Sequence, residues 1–103
     1  MVESTLRRIS TVTDPAEFEK RRDALVGRLL PHLQRQPGFV SHELRRGEGP
    51  GAMVEVTAWR SAGDCRAYLR NGAAAMAATM LDAAFPTAPY PNGNWLRATV
   101  EQP

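Results

Sequence analysis

The chain predicts an α+β fold in the order β, α, β, β, α, β, and three observations carry the prediction. Two capping-box-like starts, Asp14-Pro15-Ala16-Glu17 and Ser61-Ala62-Gly63-Asp64, open the helical regions. A run made almost wholly of chain breakers, Gly47-Glu48-Gly49-Pro50-Gly51, joins two strand-like segments and makes them an antiparallel pair. Strand-like sequence also stands near both ends of the chain, and no internal repeat disturbs the order.

The first strand is expected over residues 5–13, where β-branched residues come in patches, and it stops at Asp14. Asp14 can cap the free amide of Glu17, and Pro15 sits where a missing N–H costs nothing. Phe18, Leu25, Leu29 and Leu33 recur at spacings of seven, four and four, one apolar stripe on a helix running to about Gln36. Glu17, Lys20, Arg21, Arg28 and Arg35 lie off that stripe, with Glu17 and Arg21 an i,i+4 pair. Pro31 removes one backbone hydrogen bond and should kink the helix or loosen its last turn.

Pro37-Gly38 ends the helix, and strands are expected over residues 39–46 and 52–60. Period two places Met53, Glu55, Thr57 and Trp59 on one face of the latter, with Val54, Val56 and Ala58 on the other. After Ser61, Cys65, Leu69, Met76 and Met80 are expected to form a helical stripe, interrupted by Asn71-Gly72, so that one helix ends near Asn71 and another runs from Ala73 to about Ala84. The second piece is rich in alanine, which lets a helix approach a sheet closely, while Met76 and Met80 fill irregular space and tolerate ligands of varied shape. Pro86, Pro89 and Pro91 make residues 85–94 a loop, a candidate lid around Tyr90, and residues 95–101 supply the last strand.

This is the split βαβ arrangement of ferredoxin-like folds. With 103 residues there is room for one domain, spanning 1–103, that buries roughly two-thirds of its unfolded surface. An open sheet of this kind leaves one face uncovered, and pairing with an identical subunit is the simplest way to bury it; a homodimer is expected.

Composition narrows the partners. The net charge of +2 comes from 13 Lys and Arg interleaved with 11 Asp and Glu, without the bare basic stripe that nucleic acid requires. No apolar run approaches the roughly 20 residues that cross a bilayer, and the first residues lack the pattern of a signal peptide, so a cytoplasmic protein is expected. The single cysteine, Cys65, agrees with a reducing compartment.

Strong catalytic signatures are absent: no Cys-x-x-Cys, no His-Glu-x-x-His, no phosphate-binding Gly loop and no Gly-x-Ser-x-Gly. His32 and His42 have no metal spacing, and no metal site is expected. From the residues alone, Trp59 reads first as a core aromatic whose indole N–H caps a carbonyl, and Glu55 equally as a cross-strand partner of Arg45 or Arg46. Tyr68 fits amphipathic packing, and His42 a structural role.

Two segments change the weighting. Gln36-Pro37-Gly38-Phe39-Val40, opening the second strand, and Val54-Glu55-Val56-Thr57-Ala58-Trp59-Arg60-Ser61, closing the third, together resemble the antibiotic biosynthesis monooxygenase-like family. The resemblance runs from Asp14 through Trp59 and the helix after it. It implies a ferredoxin-like subunit that forms a dimeric α+β barrel, and a cofactor-independent enzyme of the aromatic polyketide type, acting with O2 on an aromatic or polycyclic substrate without flavin, metal or haem. It also implies that Trp59 lines the substrate cavity, with Glu55 on the same face where quinone-forming members often have Asn. A carboxylate there suits proton abstraction. Tyr68 stands where many members, the haem-degrading branch among them, have His, so haem ligation of the usual kind is lost. His42 matches a polar position of polyketide-associated members. The resulting expectation makes Glu55, His42 and Tyr68 catalytic, and Trp59, Phe39, Met76, Met80 and Tyr90 substrate-binding. The alternatives are a cyclase, isomerase or dehydratase with Glu55 as general base, or a non-catalytic ligand-binding dimer.

Overall fold

The computed structural model describes residues 1–87 and the backbone of residues 95–101. The elements follow the expected order: β1 (Val2–Ile9), α1 (Pro15–Gln34), β2 (Phe39–Arg46), β3 (Ala52–Trp59), α2 (Ala62–Arg70), α3 (Ala73–Ala84) and β4 (Trp95–Glu101). The strands form one four-stranded antiparallel sheet in the order β2-β3-β1-β4, the ferredoxin-like arrangement. Among the described residues no helix is long and apolar enough to cross a membrane.

β1 begins and ends earlier than its β-branched patches suggest. Pairing on both edges sets its limits, Val2 to Trp59 and Ile9 to Ala52 on one side, and Val2 to Glu101 on the other. At Ser10 the ladder gives way to a turn, in which Ser10 N donates to Gly51 O at 2.7 Å and Ser10 Oγ accepts from Val12 N at 2.9 Å. The chain thereby reaches Asp14, whose Oδ2 accepts from Glu17 N at 3.0 Å and caps α1. Phe18, Leu25, Leu29 and Leu33 are all buried, as their spacing predicts. The helix runs on through Pro31 to Gln34. Glu17 and Arg21 pair at 2.8 Å, and with both side chains about two-fifths exposed the contribution is about 0.3–0.5 kcal/mol.

The second helical region departs from its expected stripe. Ser61 Oγ accepts from Asp64 N at 3.1 Å to start α2, and Gly72, at φ 91°, breaks the chain before α3. That break resets the helical phase. α3 therefore turns Ala73, Ala74, Ala77 and Leu81 inward, and Met76 stands 58 % exposed instead of continuing the stripe. Cys65 and Tyr68 are the buried residues of α2, with Leu69 and Met80 packed partly buried at the edge of the core.

One core cluster joins the helices to one face of the sheet, through Val2, Leu6, Leu44, Met53 and Trp59. Cross-strand rows place Leu6, Glu55 and Leu44 side by side on that face, with Ser4, Thr57 and His42 in the next row and Arg8, Met53 and Arg46 in the row on the other side. β2 contributes through an irregularity: Phe39 pairs with Trp59 but Ser41 with Ala58, leaving Val40 as an extra residue. The bulge moves Phe39 onto the inward face with His42 and Leu44, although odd and even positions would otherwise separate them.

The β1–β3 edge rests on Gly51. Its φ is 74°, and a Cβ there would collide with the backbone oxygen of Ser10, which cannot swing aside as a side chain would. Gly51→Ala is expected to cost at least the ~1–2 kcal/mol of left-handed strain, visible as a lower midpoint in chemical denaturation.

Candidate active site

The inward face of the sheet carries a buried polar pair. His42 and Glu55 lie on neighbouring strands in adjacent rows, and the diagonal brings His42 Nε2 to 3.0 Å from Glu55 Oε2, with side chains only 2 % and 4 % exposed. An ionised carboxylate can only accept, so the imidazole Nε2 then carries the hydrogen. Arg45, offered as a partner for Glu55, instead bonds Glu43 at 2.9 Å. The cross-strand pair foreseen for Glu55 exists, but its partner is the imidazole, and it is enclosed.

An aromatic wall stands at the end of β3, two positions beyond Thr57. Trp59 is wholly buried; its ring stacks on Tyr68 with centroids 4.5 Å apart and meets Phe39 edge-on at 5.7 Å. The indole N–H donates to Thr57 Oγ1 at 3.0 Å, a hydroxyl on the same face and not the backbone carbonyl. That bond fixes the rotation of the ring, and Tyr68 from α2 presses it from the helix side. Of the residues selected from sequence, Glu55 and His42 meet directly, and Trp59, Tyr68 and Phe39 meet one another. Met80 packs partly buried against the same core, whereas Met76 faces solvent and is not brought to the site. Tyr90 lies outside the described residues. The first residues of the expected loop are anchored: Phe85 is fully buried against Phe18, and Pro86 O accepts from Thr11 N at 2.8 Å.

Arg8 is the residue that sequence reasoning missed. It sits on the inward face of β1, its side chain 2 % exposed, and one guanidinium nitrogen donates to Asp82 Oδ1 at 2.6 Å and to Phe85 O at 2.7 Å. Burial pulls its pKa below the ordinary arginine value, and the charges of Asp82 and Glu55 pull it back. An arginine keeps its proton in such surroundings. The available signal was parity, since Val2, Leu6 and Arg8 share one face of a strand.

The enclosure has a chemical consequence. In a poorly solvated space a carboxylate, an imidazole and a guanidinium interact more strongly than in water, and an aromatic wall offers a flat apolar surface beside them. The carboxylate and imidazole together are groups that can pass a proton, and the three aromatic rings pack against one another beside them. A separate cavity of about 350 Å3, lined by residues 11–14 with Glu17, Arg21 and Pro86 at the start of α1, shares no residue with this site.

Comparison with known proteins bears on the whole arrangement. The cofactor-independent oxygenase SnoaB from Streptomyces nogalater superposes with a TM-score of 0.62 at 24% identity, over 99% of this chain and 93% of that one. The monooxygenase from the gene ActVA-Orf6 of Streptomyces coelicolor, solved with nanaomycin D, gives 0.67 at 18% identity over 99% and 87%. A protein of Bordetella bronchiseptica described as a putative antibiotic biosynthesis monooxygenase gives 0.68 at 16% over 98% and 95%. At these identities the likeness is one of fold. No curated protein matches significantly in sequence. Residues 8–79, which hold Arg8, His42, Glu55, Trp59 and Tyr68, match the family described as antibiotic biosynthesis monooxygenase, and the chain belongs to that family.

Proposed function

We propose that this protein is a cofactor-independent monooxygenase of natural-product biosynthesis, acting on an electron-rich aromatic or polycyclic intermediate of the polyketide type. The observation that supports it most is the buried Glu55–His42 pair beside the wall of Trp59, Tyr68 and Phe39. SnoaB, a cofactor-independent oxygenase, shares the fold, and so does the ActVA-Orf6 monooxygenase, solved with the ligand nanaomycin D.

The mechanism follows from the charges. A substrate ring stacks against Trp59, and Glu55 takes a proton from a phenol or an activated C–H while His42 holds the carboxylate in place. The electron pair stays on the substrate as a carbanion or phenolate, which is rich enough to reduce O2. For an activated methylene the balance is CH2 plus O2 giving C=O plus H2O, so the substrate supplies every electron that oxygen consumes. Tyr68 steadies the developing oxyanion. These side chains are almost wholly enclosed, so a covering element must move for the substrate to arrive.

The working unit is a homodimer in the cytoplasm. The helices cover one face of the sheet, and the other face carries Thr5, Ile9, Val54, Val56 and Ala58 at positions a second sheet would cover.

The carboxylate–imidazole pair also suits proton transfer without oxygen, as in a cyclase or isomerase. An anthrone, whose methylene is acidified by a carbonyl and two rings, separates the two when incubated with purified protein in 18O2 and under nitrogen. Gain of one labelled oxygen under 18O2, none under nitrogen, and at a rate above that in buffer, is the expected result. An oxygen-independent product, with unchanged mass or loss of water, would move the chemistry to the second class.

A further inference from the structure

We propose that Arg8 is the permanent counter-ion of the site, a positioning residue that stabilises the anion formed on the substrate when Glu55 takes its proton. The inference rests on the proton abstraction assigned to Glu55 above, and it adds a residue and a substrate charge state to it.

The geometry supplies the case. Arg8 and Glu55 occupy the inward face of adjacent strands one diagonal apart, with His42 on the opposite diagonal of Glu55. A guanidinium buried to this degree needs compensating negative charge, because an uncompensated buried charge is strongly disfavoured. Asp82 provides part of it from α3, but its side chain is 53 % exposed and therefore screened by water. Glu55, buried and one diagonal away, adds to it, and its charge is felt at Arg8. Among the described residues the other charged groups nearby are of lesser reach: His42 lies beyond Glu55, Arg46 is exposed at the far end of the Arg8 row, and Arg21 of α1 donates to Ala84 O at 2.9 Å.

Proton transfer leaves this balance intact. The substrate O–H or C–H breaks, the proton bonds to a carboxylate oxygen of Glu55, and the electron pair remains on the substrate. Before the step the enclosed charges are Arg8 and the Glu55 carboxylate; after it they are Arg8 and the substrate anion. The negative charge moves a short way within the field of a fixed cation, and no new charge is buried. The device therefore favours substrates with an acidic phenol or C–H, which bind with their proton and are held as anions once Glu55 has taken it.

Arg8→Met and Asp82→Asn each remove one charge of the same ion pair and so shift the local charge in opposite senses, and that gives the test. Alizarin, a hydroxyanthraquinone whose visible spectrum reports ionisation of its phenol, is the probe, titrated on each purified protein. The wild-type protein is expected to bind it with the ionisation midpoint lowered from the free dye. In Arg8→Met the midpoint should rise by about one pH unit or more, a tenfold change, with Arg8→Lys restoring most of it. In Asp82→Asn it should fall by a few tenths of a unit. Midpoints that move the same way in both variants, or in neither, would overturn the counter-ion role and leave Arg8 as a clasp between β1 and α3. Failure of the wild-type protein to bind the dye at all would instead sink the aromatic pocket on which the inference depends.

Discussion

Glu55→Gln should reduce turnover of an anthrone by about 10²- to 10⁴-fold while leaving the affinity for an unreactive aromatic analogue within a few fold. The amide has the shape of the carboxylate and can still accept from His42 Nε2 at 3.0 Å, but it has no basic oxygen to take a proton. Rate and binding should therefore separate. Steady-state kinetics beside a binding titration check this, and equal losses in both would mean that Glu55 serves the architecture of the pocket alone. Burial sharpens the expectation. With both side chains almost enclosed, no bulk water stands ready to replace the missing base.

Trp59→Ala should lower stability by about 3–5 kcal/mol, the largest single effect expected of the site residues. The indole is wholly buried, touches rings on two elements and bonds Thr57, so truncation leaves a cavity, strips Tyr68 and Phe39 of their packing partner and leaves the Thr57 hydroxyl without its donor. Chemical denaturation measures this. Trp59→Phe, which keeps a ring but not the indole N–H, should lose clearly less, and a loss below about 1 kcal/mol in the alanine variant would show that the wall is not part of the packed core.

Local signals located most of the fold because they act locally. Asp14 and Ser61 cap their helices through contacts three residues away, Gly72 adopts the left-handed conformation that separates α2 from α3, and the run from Gly47 to Gly51 closes the β2–β3 hairpin. What the sequence concealed depends on pairing between distant segments. The limits of β1 are set by β3 and β4 on its two edges, and its own β-branched residues do not mark them. Met76 falls outside the buried stripe because the break at Gly72 resets the helical phase. Phe39 reaches Trp59 only because Val40 bulges out of the ladder. Glu55 and Trp59 were legible as one face of one strand, but the meeting of Glu55 with His42 needs the register of the hairpin. Arg8 was hidden most deeply, since a lone arginine on a strand ordinarily points outward, and its anchor Asp82 lies 74 residues along the chain.

These residues converge on one claim, that Glu55 removes a proton from the substrate before oxygen takes part. Exchange of the anthrone methylene hydrogens for deuterium, followed by NMR in D2O under nitrogen, isolates that step from everything after it. Exchange well above the buffer rate with the wild-type protein, falling to the buffer rate with Glu55→Gln, is the predicted result. Wild-type exchange no faster than buffer, or equal exchange with and without the carboxylate, would contradict it.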